Sequence, residues 1–211
     1  MKIAVLSETS AADKNKDIIS ALEGRGFDIV NAGMKNKDEK PELQYNHTGL
    51  MAAILLNLGR VDLVIGGCGT GQGFLNSAMQ YPGVFCGHIL TPLDGWLFTQ
   101  INGGNCISLA LNQGYGWAGD VNLRFIFDQM FSVESGCGYP AHRKEPQAES
   151  REILKAISEI AHTSFAQIIK SLPDEVIVPV LKYPGFRKLI EVEKIRDSSL
   201  KDAFKERLTR I

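Results

Sequence analysis

Apolar positions along this chain fall in short blocks of strand length that alternate with longer stretches of helical spacing. Residues 2–8 read as a strand, since Ile3-Ala4-Val5-Leu6 is apolar and the segment ends in Ser7 and Glu8. Over residues 17–25, Ile18, Ile19 and Leu22 repeat at helical spacing, and Gly24 with Gly26 marks the helix end. Residues 27–30 form a second short strand, followed by a polar, lysine-rich loop to Leu43. A strongly apolar helix over residues 50–58 then delivers the chain to Val61, Leu63, Val64 and Ile65, the run expected of a parallel strand covered on both faces. The rhythm repeats: a helix over residues 72–80, a strand over 84–90, a helix over 92–101, a strand over 106–111 and a helix over 120–131. Such alternation predicts an α/β fold, a doubly wound parallel sheet of about five strands with right-handed crossovers.

From Glu149 onward the pattern becomes charged and amphipathic. Ile153, Leu154, Ile157, Ile160 and Ala161 make one apolar stripe; Pro173, Pro179 and Pro184 interrupt, and Leu200, Phe204 and Leu208 suggest another. The expected division is an α/β domain over residues 1–145 and a C-terminal helical extension over residues 146–211. So small a helical unit cannot bury itself alone, and it is expected to pack on the core or on a partner subunit.

Composition narrows the class. A chain of 211 residues, 44% of them hydrophobic, has enough apolar surface for a real core. A net charge of -1 argues against nucleic-acid and membrane-surface roles. No run approaches the about 18 apolar residues of a membrane span, and the first strand starts directly after Lys2, leaving no room for a signal peptide; a cytoplasmic location is expected. Cys68, Cys86, Cys106 and Cys137 show no Cys-x-x-Cys pairing, so neither zinc nor a disulfide framework is suggested.

The chemistry concentrates in Gly66-Gly67-Cys68-Gly69-Thr70-Gly71-Gln72-Gly73, directly after the buried strand. Glycines permit close backbone approach, so several amides can point into one cavity as the chain turns toward the next helix. The result is an anion cradle with a thiol inside it, and backbone amides favour a thiolate. The dinucleotide-binding fingerprint has a different glycine spacing and opens the first βα turn. The nucleotide-hydrolase loop ends in Gly-Lys-Ser/Thr, and no lysine lies between Arg60 and Lys144. A tight turn around a buried, inert cysteine remains the alternative. Glu8 and Thr9 close the first strand and should face the same cleft, although a solvated helix-capping role also suits Glu8.

The segment Gly67-Cys68-Gly69-Thr70-Gly71-Gln72-Gly73 resembles the Cys-Gly-Thr-Gly-x-Gly signature of the ribose-5-phosphate isomerase B and galactose-6-phosphate isomerase family. The similarity extends through Pro82-Gly83, Gln100-Ile101-Asn102-Gly103-Gly104-Asn105 and the stretch from Gly136 to Arg143. The resemblance implies a Rossmann-like fold and an isomerase without metal or organic cofactor. Cys68 would be the base that moves a proton between adjacent carbons of an open-chain sugar. Thr70, the Gly69 and Gly71 amides, Gly73 and Asn102 would hold the enediolate, and Glu8 would orient or shuttle a hydroxyl proton. Tyr45 and His47 fall where the family has a tyrosine-containing segment entering a helix; His47 is either a ligand contact or an exposed loop histidine without a role. Arg143 matches arginines near the end of the family core and can fork a carboxylate or phosphate, unless it is a surface arginine in a linker. The resemblance also implies a homodimer or higher homo-oligomer with active sites completed across the interface.

Departures from the family pattern bear on the substrate. Thr9 replaces a histidine and Ile101 replaces the histidine that helps open the sugar ring, while Phe85 and Thr99 occupy arginine positions. Isoleucine donates neither a proton nor a hydrogen bond. Either the chain is a catalytically silent partner subunit, or its substrate needs neither ring opening by that histidine nor a full phosphate clamp. The retained Cys68, Thr70 and Asn102 favour the second reading. Gln-Ile-Asn-Gly-Gly-Asn and Gly114-Tyr115-Gly116-Trp117 look closer to a subgroup that includes isomerases of unsaturated-uronate breakdown, whose substrate is a 4-deoxy-5-keto hexuronate, an open-chain sugar acid. Ribose 5-phosphate and galactose 6-phosphate stay as alternatives. Trp117 is expected to be a packing residue.

Overall fold

The computed structural model describes residues 1–211. The chain runs β1 (Lys2–Ser7), a short 3-10 turn, α1 (Asn15–Leu22), β2 (Asp28–Asn31), α2 (Tyr45–Asn57), β3 (Leu63–Cys68) and α3 (Gln72–Ala78). It continues through β4 (Cys86–Ile89), α4 (Pro92–Leu97), a π-type turn at Phe98–Asn102, β5 (Cys106–Ala110) and α5 (Gly119–Met130). All strand pairs are parallel and the order is β2-β1-β3-β5-β4, the doubly wound sheet that the alternation predicts. The chain leaves β1 for β2 on one side, and the next strand, β3, lies on the other. The loops after β1 and β3 therefore part at a topological switch point, where a crevice opens at the carboxyl ends of the strands.

β3 is buried at every position, which explains its unbroken apolar run. Val64 and Cys68 face a cluster with Leu6, Ile54 and Phe74, whereas Leu63 and Ile65 face one with Ile18, Ile126 and Phe127. α2 begins at Tyr45, five residues before the apolar period becomes visible, because its first turn is polar. The helix expected over residues 92–101 ends instead at Leu97 and passes into the π-type turn, which closes on Gly103 at φ +52.

Beyond α5 follow α6 (Lys144–Ala161), α7 (Phe165–Ser171), α8 (Asp174–Lys182), α9 (Phe186–Ile190) and α10 (Ser198–Thr209). Phe165, Ile169, Ile177, Phe186 and Phe204 join the cluster that holds Leu6 and Val64, so the core continues across residue 145. Buried Arg207 on α10 fastens this end: its guanidinium donates to the carbonyls of Ile169, Lys170 and Leu172 and to the Asp174 carboxylate. α6 differs, with no buried residue and with Ile153, Leu154, Ile157 and Ile160 all exposed. Trp117, expected to pack, is 97% exposed, because its loop projects from the carboxyl edge of the sheet before α5 begins. No helix is long and apolar enough to cross a membrane.

Candidate active site

The parallel register sets Ser7 beside Gly67 and Cys68 beside Ala110, so Glu8, Gly69 and the chain after β5 emerge together at the carboxyl edge. Cys68 is buried, and its carbonyl accepts from Leu111 N at 3.0 Å. Glu8 is only 3% exposed, yet both its oxygens are bonded: Ser10 N donates to Oε2 at 3.1 Å and the Ser10 hydroxyl donates to Oε1. Burial pushes the Glu8 carboxyl above the ordinary carboxylate range; the Ser10 bonds oppose that shift and the charge on Glu42 adds to it. A carboxyl shifted in this direction holds its proton more readily than an ordinary one, which suits a group that passes protons. Thr9 N donates to Leu43 O at 2.8 Å, and its hydroxyl, together with Lys40, holds the Glu42 carboxyl below the usual range.

The glycine loop differs in detail from its reading as a cradle of Gly69 and Gly71 amides. Gly69 N is engaged by Ser10 Oγ at 2.9 Å, and Gly71 N by Cys68 O at 3.3 Å. The amides of Thr70 and Gly73 have no acceptor within the chain and are not sealed in the core, and these are the donors left for an anionic oxygen. The Thr70 hydroxyl accepts from Gln72 N at 3.3 Å. Gly71 sits at φ +76 in the left-handed region, and a Cβ there would lie 2.5 Å from His88 Nε2, so glycine is required twice over. The Tyr45 ring closes the far side, where a Cβ on Gly73 would stand 2.9 Å from it.

The fold thus brings Cys68, Glu8, Thr9, Thr70, Gly69, Gly71, Gly73 and Tyr45 to one edge. His47 is not among the exposed groups there: it is buried in the first turn of α2, where Nδ1 accepts from Gln44 N at 2.9 Å and Nε2 donates to Glu175 O at 3.0 Å. With both ring nitrogens committed, it caps a helix and ties α2 to α8, and the expectation of a loop histidine or ligand contact is corrected. Asn102 and Arg143 also lie elsewhere. Asn102 precedes β5, whose Cys106 pairs with Val64, so about 13 Å of strand separates its end of the sheet from Cys68. Asn102 and Arg143 line a groove of about 590 Å³ with Phe85, Ile101, Arg151 and Leu154. Arg151 braces that groove by donating to Ile101 O at 2.8 Å and Gly136 O at 3.0 Å.

Sequence reasoning missed Ser10, His88, Asn112 and Arg151. His88, next to last in β4, bridges Thr70 O at 3.0 Å and the Gln72 side-chain amide at 3.3 Å, while Asn112, just after β5, donates to Ser10 O at 2.8 Å. The available signal was position: all but Arg151 stand at the carboxyl ends of strands, where such a sheet gathers its ligands. Arg151 gave none, since it reads as one more charge on an amphipathic helix.

The family model described as Ribose/Galactose Isomerase matches residues 3–128. Among solved structures, a 4-deoxy-L-threo-5-hexosulose-uronate ketol-isomerase complexed with a tartrate is 35% identical, with a TM-score of 0.91 over 99% of this chain and 100% of that one. A ribose-5-phosphate isomerase from Vibrio parahaemolyticus is 38% identical, with a TM-score of 0.89 over 96% and 99%. The ribose-5-phosphate isomerase B of Clostridium thermocellum, 21% identical, shares the fold at a TM-score of 0.64, all of its chain covering 77% of this one. No curated protein matched in sequence. The extent of these matches and the glycine loop around Cys68 lead to one conclusion: the chain belongs to the ribose/galactose isomerase family and is a sugar isomerase.

Proposed function

We propose that this isomerase interconverts an aldose and a ketose through an enediolate, and that its substrate is an unphosphorylated 5-keto uronate, a 4-deoxy-5-keto hexuronate. The observation that carries the mechanism is the edge itself: the strand register sets Cys68, the buried carboxyl of Glu8 and two unpaired amides together at the carboxyl ends of β1 and β3. Cys68, as thiolate, takes the proton from the carbon beside the open-chain carbonyl and returns it to the neighbouring carbon. Charge that develops on the carbonyl oxygen is met by the Thr70 and Gly73 amides, donors held in place before the reaction. Glu8 carries the hydroxyl proton between the two oxygens.

The uronate reading rests on the groove at the other end of the sheet. Phe85 and Ile101 face it where a phosphosugar enzyme would place a guanidinium and an imidazole, and Arg143 offers one fork for a carboxylate. A chain that holds Cys68 at one end of its sheet and Arg143 at the other completes a site only with a second copy, so the working form is a homodimer or higher homo-oligomer with shared sites. A reducing cytoplasm, where Cys68 stays a free thiol, suits this chemistry. The phosphosugar alternative keeps one observation in its favour, a relative named ribose-5-phosphate isomerase matched over nearly its whole length. Steady-state assays with the 4-deoxy-5-keto hexuronate, ribose 5-phosphate and galactose 6-phosphate, run side by side, decide between them. The uronate should give the highest kcat/KM; a preference for either phosphate overturns the substrate assignment, and turnover of none, gained on adding a related chain, reveals a silent partner subunit.

A further inference from the structure

Ser10 stands at the junction of three loops and is absent from the mechanism above. Its backbone N–H and its hydroxyl donate to the two oxygens of Glu8, its Oγ accepts from Gly69 N at 2.9 Å, and its carbonyl accepts from the Asn112 side chain at 2.8 Å. One residue thereby joins the ends of β1, β3 and β5. The hydrogen-bond directions form a chain, Gly69 N–H to Ser10 Oγ–H to Glu8 Oε1, in which the carboxylate is the terminal acceptor. The link is also the route outward: Glu8 is buried, whereas Ser10 is exposed at the mouth.

We infer that Ser10 is a positioning residue that couples Glu8 to the Cys68 loop, holding the carboxyl and the thiol in register as one unit. The inference rests on the isomerase reading of this edge and adds to it a residue that neither the glycine signature nor the Glu8-Thr9 pair contains. A carboxylate with two donors from one residue cannot rotate without breaking one of them, and Gly69, adjacent to Cys68, is held by the same hydroxyl. The titratable groups around Glu8 are Glu42, from the loop before α2, and Cys68, at the end of the paired β3.

The test is kcat/KM against pH for wild type, Ser10→Ala, Ser10→Thr and Cys68→Ser, with whichever of the 4-deoxy-5-keto hexuronate and ribose 5-phosphate the wild type turns over. Alanine removes a bond to the ionised carboxylate, so Glu8 protonates at higher pH and the acid limb of the profile moves upward. With the geometry loosened, kcat/KM falls by about 10- to 100-fold. Threonine, which keeps the hydroxyl, returns both the limb and most of the rate. An alanine variant within twofold of wild type, a lowered rate with the limb unmoved, or a threonine variant no better than alanine overturns the inference. Unfolding midpoints are recorded for each variant, and Ser10→Cys, close to serine in size but a weak donor, replaces alanine if that variant unfolds. The Cys68→Ser arm separates the two failures: an active Cys68→Ser variant defeats the isomerase reading, whereas an inactive one beside an unaffected Ser10→Ala variant defeats only the role of Ser10.

Discussion

Replacing Gly71 with alanine tests whether the conformation of the glycine loop is a condition of both stability and turnover. At φ +76 an L-residue bears a cost of about 1–2 kcal/mol. The added methyl would lie 2.5 Å from His88 Nε2, 2.8 Å from its Cδ2 and 3.1 Å from Leu109 O. The imidazole cannot swing aside freely, because Nε2 is bonded to Thr70 O at 3.0 Å and the Leu109 carbonyl belongs to β5. Overpacking of this kind costs about 1–3 kcal/mol, giving a total of about 2–5 kcal/mol against the 5–15 kcal/mol typical of a domain. The variant should fold with a lower urea midpoint. Because the Thr70 and Gly73 amides flank the strained position, kcat/KM should fall about 100-fold. Adding His88→Ala opens the space and relieves the steric part but leaves the backbone strain, so the double variant should be more stable than the sum of the singles by about 1–3 kcal/mol. Urea unfolding of the four proteins, with kcat/KM on each, completes the cycle. A Gly71→Ala protein with the wild-type midpoint and activity, or strict additivity in the cycle, refutes this account of the loop.

His47→Ala should cost about 2–3 kcal/mol, from a lost helix cap and a lost buried bond to α8, while KM stays at the wild-type value; a raised KM at unchanged stability would restore a ligand role. Glu8→Gln should abolish most turnover yet raise the thermal midpoint at neutral pH. The folded-state pKa of Glu8 lies above its unfolded value, so the stability it contributes is full below the unfolded pKa and lost as pH rises through the folded one, a loss that glutamine avoids. The gain should shrink toward about pH 4, and an equal gain at both pH values would contradict the assigned cause. Mixing equal amounts of Cys68→Ala and Arg143→Ala subunits, with exchange confirmed, should recover about a quarter of wild-type activity, as expected for one intact shared site in half of the dimers. No recovery would count against shared sites.

The sheet was legible because burial on both faces removes ambiguity: Val61 to Ile65 has no polar member on either face except Asp62, and only a central parallel strand reads that way. Ends of elements were less legible. Tyr45-Asn46-His47-Thr48 opens α2 with polar side chains that serve capping and inter-helix bonds, and such bonds leave no periodic trace. For the same reason His47 looked like a loop residue. In the loop, the glycines announced a cradle, but which amides stay unpaired depends on Ser10 and on the turn at Cys68, neither of which spacing encodes. Trp117 was misread because a large aromatic usually packs, and nothing local shows that its loop leaves the core. The exposed stripe on α6 was visible in the sequence as apolar periodicity; that it would find no cover within one chain was not.

The most direct test of the central claim is turnover by Cys68→Ser in deuterated water. Serine preserves size, but its hydroxyl is a far weaker acid than a thiol, so the variant retains the loop and loses the base. The account predicts that the wild type incorporates solvent deuterium at the carbon that receives the proton, and that Cys68→Ser loses both turnover and incorporation by at least about 10² to 10⁴, the usual span for a general base. Wild-type rate and deuterium incorporation in Cys68→Ser would contradict it and would mean that the glycine loop binds the substrate while another group moves the proton.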